Sequence, residues 1–170
     1  AMCTMLINIF HSIKAEKLPT PTKPVYLFNM RDMSKVVQGI MNAHKDYYDT
    51  SDSILRLFIH ECTCVFSDRL NSLEDREWFR ENMDKETQAN ADGAKWSQLY
   101  KNNGIMTNFG SFMATSDDSP YEELADVAAV KLKLEETLDE YNLEGGVPMD
   151  LVLFKDAVDH VCKIHRVLQQ

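Results

Sequence analysis

Tyr26-Leu27-Phe28-Asn29-Met30-Arg31-Asp32-Met33-Ser34-Lys35-Val36-Val37-Gln38-Gly39 is the stretch that decides how the rest of the chain is read. Asn29 is an N-cap residue, whose side-chain oxygen can accept from backbone N–H groups of a first helical turn. Asp32 stands three positions later, where a capping box places an acid, so a helix is predicted from Asn29 after a short extended piece near Val25 to Phe28. Met33, Val36, Val37 and Ile40 then recur at helical spacing and predict one buried stripe. Gly39 falls inside that helix at a cost of about 1 kcal/mol relative to alanine. Arg31 does not fit. A cation in the first turn faces the positive end of the helix dipole, a penalty of about 0.3–1 kcal/mol, and Lys35 adds a like charge one turn on. Two readings stand for Arg31: an arginine whose head simply extends into water, or a cation placed to meet an anion at the helix N-terminus.

Working outward, Met2, Met5, Leu6, Ile9 and Ile13 share one face and predict a first helix. Leu18-Pro19-Thr20-Pro21-Thr22-Lys23-Pro24 ends it, because proline removes the donor and imposes an extended path. Asp49 to Asp52 is a cluster of N-cap residues that opens a long helix to about Leu70. Its core stripe is Leu55, Phe58, Cys62, Val65 and Phe66, with Arg56, His60, Thr63 and Ser67 on the opposite face. Ser72 and Asp75 form a second capping-box pattern, opening a helix with Phe79 and Met83 inside. Asp84 to Asn103 is polar and aperiodic and reads as a surface loop.

Gly104 to Pro120 is the natural boundary, an ordered connector in which Ile105, Met106, Phe109, Phe112 and Met113 pack. Val127, Val130, Leu134, Leu138 and Tyr141 mark a further helix, broken at Gly145-Gly146-Val147-Pro148. Asp150 is the expected cap of the last helix, with Phe154, Ala157, Val158, Val161, Ile164 and Leu168 inward. Lys163, His165 and Arg166 complement the dipole at its end. No alternating strand and no repeat emerges, so the expected fold class is all-α, with about six helices.

Composition narrows the function. The chain has 170 residues, of which 44% are hydrophobic and 26% charged, an ordinary globular balance. A net charge of −9 with no basic run argues against nucleic acid and against an anionic membrane surface. No stretch approaches the roughly 18 apolar residues of a membrane span, and the first residues lack the pattern of a signal peptide. The four cysteines are scattered; Cys62 and Cys64 point to different faces of one helix, so a reducing compartment is expected.

His60-Glu61-Cys62-Thr63-Cys64 imitates a zinc helix, but Cys64 takes the second ligand position, Cys62 points to the core and no third ligand follows at a recognisable spacing. His160 and His165 do not share a face. No metal site is expected. There is no nucleophile elbow and no phosphate-binding glycine loop. The acidic pairs Asp117-Asp118, Glu122-Glu123 and Glu135-Glu136 read as solvated faces. Catalysis by this chain alone is the poorest fit, and catalytic residues are assigned to none.

Several stretches carry a resemblance in order along the chain. They are LPTP at Leu18 to Pro21, the Tyr26–Gly39 stretch, HE with VFSDRL from His60 to Leu70, and DREWF at Asp75 to Phe79. Together they resemble the lid of the third AAA+ module of dynein heavy chains. From FGSFM at Phe109 to Met113 through MDLVLFKDAVDHVCKIHRVLQQ, the chain resembles the opening of the fourth module. The resemblance implies a lid over residues 1–103, then a connector and N-terminal helices over 104–170, stopping ahead of that module's P-loop.

It further implies that Arg31 occupies the sensor-2 position, approaching nucleotide phosphates from a lid helix, with Asn29 and Asp32 supporting that helix. Leu151, Val152, Leu153 and Phe154 match a segment that borders the adenine of the fourth module. Cofactors are expected only in a full motor, as ATP or ADP with magnesium. The implied partners are neighbouring AAA+ large domains and, through the whole heavy chain, microtubules and dynein intermediate and light chains. The implied setting is the cytoskeleton of a cilium or flagellum. Cys64 and Ser111 depart from the pattern, standing where the family usually has an arginine and an aspartate. The alternative is a free-standing helical interaction module, for which methionines along the first helix would suit a partner groove.

Overall fold

A computed structural model describes residues 1–91, 108–113, 120–145 and 147–169, the side chain of Lys45 aside. The chain divides into two compact units, Ala1–Met106 and Thr107–Gln170. The described residues of the first hold α1 (Met2–Glu16), α2 (Met30–Met41), α3 (Ser51–Val65) and α4 (Leu73–Asn90), with short 3-10 turns at Lys45–Tyr47 and Ser67–Arg69. Those of the second hold β1 (Asn108–Gly110), β2 (Glu122–Leu124), α5 (Val127–Leu143) and α6 (Lys155–Gln169).

In the first unit α1 packs on α4 and α2 on α3. Met5, Ile9 and Ile13 of α1 meet Phe58 and Cys62 of α3 and Phe79 and Met83 of α4 in one core, joined by Tyr26, Phe28, Phe66 and Leu70 from the connections. Each such fully buried apolar side chain contributes about 1.5–3 kcal/mol. The methionines that would have suited a partner groove line this core instead: Met5 is buried and Met2 packs against it. Three caps hold as the local chemistry dictates, with Asn29, Thr50 and Ser72 each accepting backbone N–H groups of the helix they precede.

Three expectations need correction here. Val37 is 43% exposed while Val36 is fully buried, because α2 turns only Asp32, Val36 and Gly39 inward, with Met33 and Ile40 half-buried beside them. In α3, His60 and Ser67 are buried rather than outward, and Leu57, Ile59 and Glu61 are buried too. A helix enclosed on several sides has no polar face to read. The helix α4 does not fray at Asp84: Met83 and Thr87 continue the inner stripe of Phe79, and Asn8 of α1 donates to Glu86 at 2.9 Å. Residues 92–107, including Ile105 and Met106, lie outside the described residues. The segment ahead of α2 holds a single isolated bridge between Thr20 and Lys23.

In the second unit a two-stranded antiparallel sheet pairs Asn108 with Leu124 and Gly110 with Glu122. With it the described residues keep the mostly helical fold class expected from the sequence, and three-residue strands are too short to show alternation in sequence. Gly110 permits the pairing: a Cβ there would lie 2.7 Å from Phe112 Cε1 and 3.1 Å from Leu124 Cδ1. β1 packs on α6. Asn108 Nδ2 donates to Asp159 Oδ1 at 2.6 Å, Ser111 Oγ lies 3.0 Å from His165 Nε2, and the Phe112 ring meets His165 edge-on at 5.0 Å.

Leu124, Val130, Leu153, Val158 and Cys162 form the core of this unit. Asp150 does not cap α6, which begins at Lys155. Asn142 at the end of α5 binds both main-chain groups of Met149, at 2.8 and 3.0 Å, and Leu153 is drawn into the core in an extended segment. The helix can therefore start only after Phe154. Phe154, Ile164 and Leu168 are exposed, as are Val127 and Tyr141; Leu134, Leu138, Ala157 and Val161 are half-buried. Cys162 and Arg166 take the inner positions on α6.

Candidate functional site

The N-terminal end of α2 is built as a clamp. Asn29 Oδ1 accepts from the Arg31 N–H at 2.8 Å, and Asp32 Oδ2 accepts from the Asn29 N–H at 2.8 Å, completing a reciprocal capping box. Asp32 is also the target of Arg69, from the 3-10 turn after α3. Arg69 Nη2 donates to Asp32 Oδ1 at 2.6 Å and Nη1 to Oδ2 at 3.3 Å. The same Nη1 donates to the Leu27 carbonyl at 3.0 Å, and the guanidinium lies 5.3 Å over the Phe28 ring. Burial alone would raise the Asp32 carboxyl; Arg69 and the Asn29 N–H together hold it below its ordinary value. This is the planar fork geometry that arginine and not lysine can supply.

A second carboxylate anchors the residues just ahead of that turn. Asp75 at the start of α4 accepts from Tyr26 Oη at 2.7 Å, from Lys17 Nζ at 2.9 Å and from Lys23 Nζ. Tyr26 Oη in turn accepts from the Asn71 N–H at 2.9 Å. Lys17 lies 4.3 Å over the Trp78 ring. Burial would raise the Asp75 carboxyl, but hydrogen bonds from Lys23, Lys17, Ser72 and Tyr26 hold it far below the carboxylate range. Residues 26–32 are thus tied down on two sides.

Arg31 projects from this fixed turn. It is exposed, and among the described residues its guanidinium has no hydrogen-bond or ion-pair partner. Beside it on α2 runs an apolar stripe of Met30, Val37 and Met41, with Leu27 just ahead, exposed by 71%, 43%, 77% and 65%. The structure therefore brings Asn29 and Asp32 together under Arg31. Leu151, Val152 and Phe154 are exposed and Leu153 buried, in the separate second unit.

Sequence reasoning did not single out Arg69, Lys17 or Lys23, and it read Asp75 only as a capping-box acid and Tyr26 only as part of the extended entry to α2. The signal was present in the quoted motifs, since Arg69 lies in VFSDRL and Asp75 opens DREWF. Cys64 Sγ lies 3.5 Å from His60 Nε2, and among the described residues no group of three or more His, Cys, Asp or Glu is arranged to hold a metal. The described helices include none long and apolar enough to cross a membrane.

Residues 1–76 match the family model described as the dynein heavy chain ATPase lid domain. Over 96% of its length the chain is 40% identical to the dynein-1-beta heavy chain of the flagellar inner arm I1 complex of Chlamydomonas reinhardtii. It is 41% identical over 96% of its length to human dynein axonemal heavy chain 2, and 38% to mouse dynein axonemal heavy chain 1. The chain belongs to the dynein heavy chain family, and it matches axonemal members. It spans about 4% of the length of those relatives.

Proposed function

We propose that this segment is the lid half of a nucleotide site in an ATP-dependent, minus-end-directed microtubule motor of a cilium or flagellum. Its Arg31 reaches phosphates held by a neighbouring AAA+ large domain. The observation that carries the reading is the exposed Arg31 on a doubly anchored helix turn. A cation on a rigid turn can meet an oxyanion without the cost of ordering itself first, and backbone N–H groups of the same turn favour negative charge. The exposed stripe of Leu27, Met30, Val37 and Met41 suits closure of a lid on a large domain, with the cation at its edge.

In this reading residues 1–103 are the lid of the third module, and 104–170 are the connector and first helices of the fourth. ATP or ADP with magnesium is held mainly by the large domains. Leu151, Val152, Leu153 and Phe154 border the adenine of the fourth site. The lid moves as a rigid body when the third site changes its nucleotide, and so passes that state to the fourth. Microtubules and the intermediate and light chains are engaged through the rest of the heavy chain. The segment alone turns over no ATP.

The test is Arg31→Ala in a heavy chain that carries this segment. Loss of a charge-assisted contact worth about 1.5–3 kcal/mol weakens ATP binding at the third site roughly 10- to 100-fold. Unchanged ATP affinity, or ATP turnover by the isolated segment, would count against the proposal.

A further inference from the structure

We propose that Arg69 is a positioning residue for the nucleotide contact made by Arg31, acting through Asp32 and the Leu27 carbonyl rather than by touching the ligand. The inference rests on the phosphate-contact reading above and adds the residue that sets its geometry.

Arg69 comes from the turn after α3, yet the contacts of its guanidinium fall on residues that bracket Arg31. They are both carboxylate oxygens of Asp32 at 2.6 and 3.3 Å, the Leu27 carbonyl at 3.0 Å and the face of Phe28 at 5.3 Å. Within the first turn of α2 itself, burial falls mainly on the residue that Arg69 grips. Met30 and Arg31 are exposed, and Asp32 is the one buried residue of that turn. A first helical turn has N–H groups without intrahelical partners and frays unless capped. Here the cap acid, Asp32, is itself fixed by Arg69, so the orientation of the cap is set from α3.

The arrangement also settles where the charge goes. Asp32 Oδ2 accepts from the Asn29 N–H while Arg69 occupies both oxygens, so the carboxylate next in sequence to Arg31 is already neutralised. Arg31 keeps its positive charge for an external anion. Without Arg69, the bare Asp32 carboxylate would compete with that anion for the Arg31 guanidinium.

The experiment compares four heavy-chain motors carrying this segment: unsubstituted, Arg31→Ala, Arg69→Met and the double variant. A fluorescent non-hydrolysable ATP analogue is the probe, with the P-loop lysines of the other modules replaced. Arg69→Met is expected to weaken binding about tenfold, and Arg31→Ala at least as much. The double variant should bind no more weakly than Arg31→Ala alone, because Arg69 acts through Arg31. Arg69→Lys should recover only part of the loss, since it keeps the charge and not the fork. Asp32→Asn retains the capping oxygen and loses the ion pair, so it serves as the second variant should Arg69→Met not fold. Losses that multiply in the double variant, or Arg69→Met and Asp32→Asn motors that bind normally, overturn the positioning role. If Arg31→Ala alone changes nothing, the phosphate contact itself is refuted, and Arg69 has nothing to position.

Discussion

Arg69 and Asp32, 37 positions apart, meet as a two-pronged ion pair at 2.6 and 3.3 Å, with the carboxylate side chain 4% exposed and the guanidinium 29%. Removing one partner leaves a charge in a poorly solvated place, whereas removing both relieves it. Arg69→Met should therefore destabilise the first unit by about 3 kcal/mol. The double variant Asp32→Asn/Arg69→Met should recover part of that loss. Urea unfolding of the chain measures both, and a double variant with the summed loss of the singles would contradict the pairing.

Acid should loosen the same unit through Asp75. An unfolded aspartate takes up its proton near pH 3.9 or about that value, while folded Asp75 stays ionised well below it. The unfolded state then binds more protons, so stability is complete above about pH 5 and falls as the pH drops toward the folded value. Asp75→Asn should lower stability at neutral pH and flatten that acid limb. Thermal melts between pH 7 and pH 2.5 would show it; an unchanged slope in the variant would remove Asp75 from the explanation.

His165 gives the second unit an opposite kind of group, a base whose proton affinity is lowered by burial. Unfolded histidine protonates near pH 6.5 or about that value, before the folded ring does. Stability of this unit should therefore decline as pH falls through that region. Ser111 Oγ, 3.0 Å from His165 Nε2, offers a direct control. Ser111→Asp sets a carboxylate beside the ring and should raise the His165 pKa, measured by NMR titration. A pKa that stays low in this variant would mean the two side chains do not meet in solution.

The neighbouring valines of α2 test the inward face. Val36 is 0% exposed and Val37 is 43% exposed. Val36→Ala should cost about 2 kcal/mol, and Val37→Ala no more than about 0.5 kcal/mol. Equal losses would restore the broader stripe expected from spacing.

How far these features could be read in advance follows from their range along the chain. Caps at Asn29 and Ser72, the inner face of α1 and the inner stripe of α3 are local patterns, so residue type and spacing reveal them. The burial of His60 and Ser67 depends on what packs around α3, and spacing carries no record of that. The later turns of α4 were hidden because Thr87 is a polar residue buried in an apolar row, and the partner of Glu86 is Asn8 on another helix. The start of α6 was misplaced because Asn142, a loop-forming residue by type, captures Met149 from seven positions away. At the site, Asn29, Arg31 and Asp32 stood out through helix-end chemistry. Arg69 did not, and Asp75 stood out only as a cap acid, because a salt bridge across 37 or 52 positions has no spacing to recognise.

The central claim is that Arg31 meets nucleotide phosphates, and a structure of a motor carrying this segment, with an ATP analogue in the adjoining large domain, tests it most directly. The account predicts a guanidinium nitrogen of Arg31 within about 2.7–3.2 Å of a phosphate oxygen. It also predicts that the Asp32–Arg69 pair remains intact beneath. An occupied, closed site in which Arg31 still points to solvent, more than about 6 Å from every phosphate oxygen, would contradict it, since bulk water screens a contact at that range to little effect.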